Sequence, residues 1–307
     1  MDNLNKKKIL ITGGLGFIGF ELAKSLSKKN HVTIVDKKRY NKKIKNITII
    51  CGDLSKDSVY KKLNKSYQVI FHLAAQTSTK ISEENNLKDY QDNILATQKL
   101  VNFAKRSAPE QIIFTSSMVV YGKLSKNVKE IEKTFPQTNY AKNKIKCEKM
   151  LLNLKSEKTN VVIARLFNVY GPGQDFYNMN QGMISIYVSQ AVICKKIKIT
   201  GSLNRYRDFI YIDDLIKAFS YLIKYQSSDI FNVGSGKKNT VKNVITIIIN
   251  LLNLGKNSVE IIKNQKKDVF GSYANIGKIK HLGWKPKMKL RDGLKKTILN
   301  AKSILLK

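Results

Sequence analysis

Ile11-Thr12-Gly13-Gly14-Leu15-Gly16-Phe17-Ile18-Gly19 decides how this chain folds. The stretch leaves an apolar run, Ile9–Thr12, and opens an amphipathic one, Phe17–Lys28. Gly13, Gly16 and Gly19 satisfy one glycine spacing, and Gly14, Gly16 and Gly19 satisfy a second. Glycine in such a turn bends the chain tightly, lets the backbone approach a pyrophosphate and allows close helix–strand packing. The helix that follows offers unpaired N–H groups and a partial positive charge at its N-terminus. A glycine pattern alone fits an ordinary turn; its place between strand and helix is what points to a dinucleotide.

Outward from this turn, the first half alternates short apolar runs with amphipathic stretches. Ile9–Thr12, Val32–Asp36, Ile47–Cys51, Val69–Leu73, Ile112–Ser116 and Val161–Phe167 read as strands buried on both faces. Phe17–Lys28 and Leu87–Arg106 read as helices between them. Six such units predict an α/β fold, a Rossmann-type doubly wound parallel sheet with right-handed crossovers. After Asn168 the pattern changes: Gly171–Gly182 and Gly201–Arg207 read as loops, and Phe209–Ile212 and Ile230–Val233 as further strands. Helices are expected near Val241–Leu252 and Arg291–Leu305. The expected organisation is a dinucleotide-binding domain over 1–167, to which a segment near 206–232 returns, and a smaller substrate-binding lobe mainly over 168–307.

Composition bounds the setting. With 307 residues, 42% hydrophobic and 25% charged, the chain can bury a sizeable core. Val244–Leu254 is the longest apolar stretch and is too short to span a bilayer, so no membrane partner is expected. Cys51, Cys147 and Cys194 have neither metal nor disulfide spacing, and His31, His72 and His281 have no ligand spacing, so no metal is expected. Met1–Lys8 has no signal-peptide layout, which with the cysteines suggests a reduced cytoplasm. The net charge of +34 raises nucleic-acid binding. Lysine is nevertheless spread from end to end, whereas a nucleic-acid stripe is local, so a solvated basic surface that attracts anionic substrates is the favoured reading.

Asp36 closes the second strand, where an acid binds the adenosine ribose hydroxyls. A carboxylate there repels a 2′-phosphate and favours NAD over NADP, although Lys37, Lys38 and Arg39 could bind that phosphate. Further on, Ser117 follows the fifth strand, and Tyr140 and Lys144 share one helix face at i and i+4. A tyrosine with a pKa of about 10 is a poor base at neutral pH. A neighbouring ammonium and a positively charged nicotinamide would lower it. In a lysine-rich chain this pair by itself also fits an exposed helix face.

Taken together, Thr12–Gly19, Asp36, Gly52-Asp53-Leu54, His72-Leu73-Ala74-Ala75, Asn93, Ser117, Tyr140/Lys144 and Arg165-Leu166-Phe167-Asn168-Val169-Tyr170-Gly171-Pro172 resemble the NAD-dependent epimerase/dehydratase family of extended short-chain dehydrogenases. The likeness continues through Arg207–Asp214, Asn232-Val233-Gly234 and Leu282-Gly283-Trp284-Lys285-Pro286, covering nearly the whole chain. The resemblance implies NAD as cofactor, with contacts from Gly13, Gly16, Phe17, Ile18, Gly19 and Asp36. It puts Asp53 and Leu54 beside the adenine and Leu73, Ala74 and Ala75 along the cofactor. Asn93, also counted on the cofactor side, would hold the helix that carries the active site. It makes Ser117 the group that polarises the reacting oxygen, Tyr140 the acid/base and Lys144 the ribose ligand that lowers the tyrosine pKa. Asn168 and Arg207 resemble contacts to the diphosphate of a nucleotide sugar.

Dehydratases of the family carry Asp-Glu directly after the catalytic hydroxyl residue, and here Met118 and Val119 stand there. Arg165–Asp214 is most similar to the UDP-glucose 4-epimerase type. The expected activity is therefore 4-epimerisation of a UDP-sugar, with a nucleotide-sugar reductase, or an epimerase acting at another carbon or on GDP- or dTDP-sugars, as alternatives. A non-catalytic RNA-binding relative is a further alternative, disfavoured because Ser117, Tyr140 and Lys144 are all present. Two departures stand out: Gln265-Lys266-Lys267-Asp268 lacks an arginine common in the family, and Ser272 takes the position that limits room at the sugar 2-substituent. A small residue there would admit an N-acetyl group, unless Ser272 is simply a loop serine. By analogy with the family, a homodimer paired through Leu87–Arg106 and Tyr140–Leu154 is expected.

Overall fold

A computed structural model describes residues 6–64, 66–122, 127–154, 159–180, 182–262 and 271–306. Seven strands form its main sheet: β1 Lys8–Thr12, β2 His31–Asp36, β3 Ile47–Cys51, β4 Val69–His72, β5 Gln111–Ser117, β6 Asn160–Leu166 and β7 Asp229–Val233. Their order across the sheet is β3-β2-β1-β4-β5-β6-β7. The β3·β2, β2·β1, β1·β4 and β4·β5 pairings are parallel. Ile9, Leu10, Ile11, Ile70, Phe71, Ile112 and Ile113 are wholly buried, as expected of strands covered on both faces. Strand order reverses between β1 and β4, so the crevice beyond their carboxyl ends is where such a sheet takes a ligand.

Helix α1, Phe17–Leu26, follows β1. The stretch read from sequence as one helix over Leu87–Arg106 is subdivided: a short helix Asn86–Asp89, a π-helical turn Tyr90–Leu95, then α2, Ala96–Ser107. Within the π turn the Asn93 carbonyl accepts from the Thr97 hydroxyl at 2.6 Å and the Cys147 thiol at 3.4 Å. Such turns cluster at functional sites, and hydrophobic periodicity does not mark them. Helix α3, Asn139–Leu152, is capped by the Thr138 hydroxyl and buries Tyr140, Lys144, Cys147 and Glu148.

Residues Met1–Gly122, Thr134–Arg165 and Ile216–Phe231 form one compact unit; Lys123–Lys133, Leu166–Leu215 and Asn232–Lys307 form a second. The chain thus passes between units more often than the sequence pattern suggests. Residues 127–128 pair with 273–274 as a two-residue strand, too short to leave a periodicity. The Asn232 side chain adds a bond to the Val128 carbonyl at 2.8 Å. The returning segment begins at Ile216, which leaves Arg207 in the second unit. That unit holds α4 Met183–Cys194, α6 Val241–Leu252, α7 Leu290–Leu305 and the parallel pairing of 168–170 with 209–211. Helix α5, Ile212–Leu222, takes its first four residues from the second unit and the rest from the first. No helix among the described residues is long and apolar enough to cross a membrane.

Candidate active site

The glycine turn is closed by its own backbone. Gly13 N–H donates to the Val35 carbonyl at 2.8 Å, and Gly16 N–H to the Gly13 carbonyl at 3.1 Å. Gly13 has φ +69°, and a Cβ there would lie 2.7 Å from the Ala74 backbone, so only glycine permits β1 and β4 to end so close together. A Cβ on Gly19 would lie 2.3 Å from the Gly13 carbonyl oxygen. The α1 N-cap, Gly16, makes no side-chain capping bond to the first-turn amides of Phe17, Ile18 and Gly19. This arrangement fits a pyrophosphate.

At the end of β2, Asp36 accepts from Leu15 N–H at 3.0 Å and from Lys38 N–H at 2.9 Å, which ties this end of the strand to the turn. Lys37 pairs with Asp53 at 3.3 Å and with Asp92. Lys37 is exposed; desolvation lowers its affinity for its proton, but Asp92 and Asp53 outweigh this and raise its pKa. It is thus committed to carboxylates, which weakens the case for an extra phosphate and strengthens NAD over NADP. Asp53 accepts from Ser55 N–H at 2.9 Å and Ser55 Oγ at 2.8 Å. Desolvation opposes its ionisation, but these bonds and Lys37 hold its pKa below the usual carboxylate range. Leu54 is buried, and Leu73, Ala74 and Ala75 are half-buried after β4.

Ser117, Tyr140 and Lys144 are brought together in the first unit. The Ser117 hydroxyl lies close enough to the Tyr140 hydroxyl to favour its ionised form. Lys144 Nζ donates to the Thr115 carbonyl at 2.9 Å and lies 5.9 Å from the Tyr140 ring centre. Both residues are buried, so the exposed-face reading of the pair does not hold. Burial drives the Lys144 pKa down to about 8, against the opposing fields of Cys147, Glu148 and Asp89. Burial also raises the Tyr140 pKa; Ser117 works the other way, and Asp89 and Cys147 add to the rise. In the chain by itself desolvation therefore outweighs any lowering by Lys144, and Tyr140 holds its proton. A positive charge added beside it is the change that would make it a base.

Two motif residues of this neighbourhood make contacts that their place in the sequence does not announce. His72 bridges the Thr12 hydroxyl at 2.8 Å and the Thr97 hydroxyl at 3.0 Å. Burial, with Lys144 nearby, lowers its pKa to about 3, so it is a neutral strut between β1, β4 and α2. Asn93 donates to the Gln76 carbonyl at 3.1 Å and to Asp89 at 2.8 Å, while its own amide oxygen is buried without a hydrogen bond.

In the second unit, Asn168 donates to the Asp208 carbonyl at 3.0 Å, and Arg207 to the Tyr206 carbonyl at 2.8 Å. Asp208 is fully buried. Its carboxylate accepts from Ser235 N–H and Oγ, both at 2.6 Å, from Gly236 N–H at 2.9 Å and from Ala274 N–H at 3.0 Å. Burial raises its pKa in spite of these four bonds. Asp208 thus gathers the segments that carry Asn168, Arg207 and buried Ser272. Sequence reading includes it in the Arg207–Asp214 motif without a role. The segment Gln265–Asp268 lies outside the described residues. No group of metal-binding side chains occurs among the described residues.

The sequence profile of the NAD-dependent epimerase/dehydratase family matches residues 9–234. The chain belongs to this family. It is an NAD-dependent enzyme of the nucleotide-sugar epimerase/dehydratase group. Among solved structures, a UDP-N-acetylglucosamine 4-epimerase from Methanobrevibacter ruminantium, in complex with UDP-N-acetylmuramic acid, is 31% identical with a TM-score of 0.91. The match covers 98% of this chain and 99% of that one. UDP-glucose 4-epimerase from Thermotoga maritima with UDP-glucose is 28% identical with a TM-score of 0.89, over 97% and 99% of the two chains. The human dTDP-D-glucose 4,6-dehydratase is 30% identical over 95% of this chain and 89% of its own length. The family therefore includes epimerases and a dehydratase at similar distance, and the choice between them rests on the site.

Proposed function

We propose that this family member is a UDP-sugar 4-epimerase working through a transient 4-keto sugar. The observation that carries the reading is the residue pair after Ser117. Met118 and Val119 have no group that transfers protons, so elimination of water lacks an acid and a base, whereas epimerisation at one carbon needs only the Ser117–Tyr140–Lys144 trio. The 4-epimerase structures from Methanobrevibacter ruminantium and Thermotoga maritima support the same reading.

Bound NAD supplies a hydride acceptor that can return the hydride, so the net reaction is redox-neutral. Gly13, Gly16, Phe17, Ile18 and Gly19 would hold its pyrophosphate, and Asp36 its adenosine ribose. Asp53 and Leu54 would flank the adenine, Leu73, Ala74, Ala75 and Asn93 would line its path, and Lys144 would bind the nicotinamide ribose. Ser117 donates to the sugar 4-oxygen and keeps it within reach of Tyr140. Tyr140 takes the 4-hydroxyl proton as the ketone forms and gives it back when the carbon is reduced on its other face. Asn168 and Arg207 would bind the diphosphate, a guanidinium being well matched to phosphate oxygens.

The small, buried Ser272 and the N-acetylated sugar named for one similar structure favour acceptance of N-acetylated substrates. Initial rates with UDP-galactose and UDP-N-acetylgalactosamine test both levels. Turnover of both supports the reading, and Ser272→Tyr should then depress kcat/KM for the acetylated sugar ~10-fold or more while sparing the other. Strong rejection of the acetylated sugar by the wild type would end the open-pocket idea, and failure with both would end the UDP-sugar assignment. We further propose a homodimer: Leu87 and Tyr90, in the expected pairing segment, are 77% and 48% exposed, which is costly for apolar side chains that find no cover.

A further inference from the structure

One buried carboxylate near the trio has no role in the mechanism above. Asp89 is wholly buried, yet it faces no cation within ion-pair distance among the described residues. Three side-chain amides surround it. Gln76 donates to Oδ1 at 3.1 Å, Asn93 donates to Oδ1 at 2.8 Å, and Asn143 donates to Oδ2 at 2.5 Å. All three recorded partners are donors, so the ionised carboxylate is the form this cage satisfies. Each partner comes from a different part of the site. Gln76 follows the Leu73–Ala75 segment after β4, Asn93 sits in the π turn, and Asn143 is on α3 between Tyr140 and Lys144. Gln76 also donates to the Ser78 carbonyl at 2.9 Å, and Asn93 to the Gln76 carbonyl at 3.1 Å, so the cage is closed on itself.

We infer that Asp89 is a positioning residue for the Tyr140–Lys144 pair: its amide cage fixes α3 against the cofactor strand and sets a buried carboxylate beside both side chains. The inference rests on the proposed roles of Tyr140 and Lys144 but not on the identity of the sugar. The cage acts through geometry, because Asn143 can satisfy Asp89 only while Tyr140 and Lys144 keep their depth under α3. The charge acts through the low local dielectric, where an anion favours an ammonium and disfavours a phenolate. The other ionisable groups set against Lys144 are Cys147 and Glu148 on α3, Tyr140 itself, and His72 on β4. Of these, Glu148 is neutralised by Arg165, which it meets at 2.7 Å, and His72 is held neutral by burial. Cys147 is kept as a thiol by burial, so Asp89 is the anion of this group without a cationic partner.

Asp89→Asn removes the charge and can keep the shape, since an amide at 89 can pair with a flipped Asn143. The first readout needs no substrate: the titration of Lys144, followed by nuclear magnetic resonance of 13C-labelled lysine, with its signal assigned by its loss in Lys144→Met. The wild-type midpoint near 8 should fall by ~0.5–1 pH unit in Asp89→Asn. In turnover, both limbs of the pH–rate profile should move to lower pH together, because Tyr140 and Lys144 both lose protons more readily. Asn143→Ala keeps the charge and opens the cage: kcat should fall several-fold with KM little changed and the Lys144 midpoint in place. An unshifted midpoint in Asp89→Asn, with a rate profile lowered but not displaced, would overturn the electrostatic role. Should Asp89→Asn fail to fold, Asp89→Glu decides, a wild-type midpoint supporting the charge and a fallen midpoint opposing it. Full activity in Asn143→Ala would overturn the cage. A wild-type protein inactive on UDP-sugars but with the predicted lysine shift would refute the proposed function and leave this inference standing.

Discussion

Two successive turns of α3 bury a charged residue each, and the fold treats them in opposite ways. Glu148 receives a two-pronged bond from Arg165, Nε at 3.0 Å and Nη2 at 2.7 Å. Desolvation would lower the Arg165 pKa, but Glu148 more than compensates and raises it, so the pair stays ionised. The Arg165 guanidinium also lies 4.9 Å from the Tyr121 ring centre. One turn earlier, Lys144 is just as buried, yet its recorded hydrogen bond goes to a neutral carbonyl, and its proton is held loosely. A charge with a complete partner behaves as structure, and a charge left incomplete is available for chemistry. The same helix therefore carries a fixed anchor and a tunable group 4 residues apart.

The largest effect should come from the tunable turn. Tyr140→Phe keeps the ring and removes the proton carrier, so turnover should fall by ~10²–10⁴-fold or beyond detection, with NAD still bound. Cofactor binding by fluorescence titration beside a turnover assay checks this; an active variant breaks the assignment. The anchored turn should answer in stability instead. Glu148→Gln removes the carboxylate that balances a buried guanidinium and should cost ~3–5 kcal/mol, read as a lower urea midpoint. A loss below ~1 kcal/mol would show that the pair is no anchor.

A subtler test sets the two turns directly against each other. Lys144→Met should abolish turnover yet leave the fold at least as stable as the wild type at pH 7. The sign follows from the lysine pKa, about 8 in the folded chain against the ordinary 10.5. Between these values the unfolded chain binds the extra proton, so wild-type stability from this group rises with pH across that window. The cost of burying the ammonium is full below 8 and fades toward 10.5, so the advantage of Lys144→Met should shrink over the same range. Urea midpoints of both proteins from pH 7 to 10 would show it, and a gap that widens with pH would contradict it.

The two turns also differ in how far they were legible. Tyr140, Lys144, Ser117 and the glycine turn could be read from sequence because local spacing creates them, as helix periodicity or a strand–turn–helix succession. The pairing of Glu148 with Arg165 could not, since nothing in the spacing joins residues on separate elements. The same holds for His72 between Thr12 and Thr97, for the amides around Asp89, and for Asp208 among four donors. These contacts follow from how strands stack into a sheet, which periodicity does not encode. The six strands of the first half were visible as apolar runs, whereas the π turn at Tyr90–Leu95 and the two-residue strand at 127–128 were not, being shorter than any period. The direction of the Tyr140 shift was also hidden, because the tyrosine–lysine spacing is visible in sequence and the depth of burial is not.

Proton magnetic resonance of the protein with UDP-galactose and catalytic NAD in deuterated water tests the central claim most directly. A 4-epimerase gives UDP-glucose signals, no net accumulation of reduced cofactor, and the original hydrogen retained at the epimerised carbon. Loss of water from the sugar, deuterium entering at another carbon, or no interconversion by protein shown to bind NAD would contradict it.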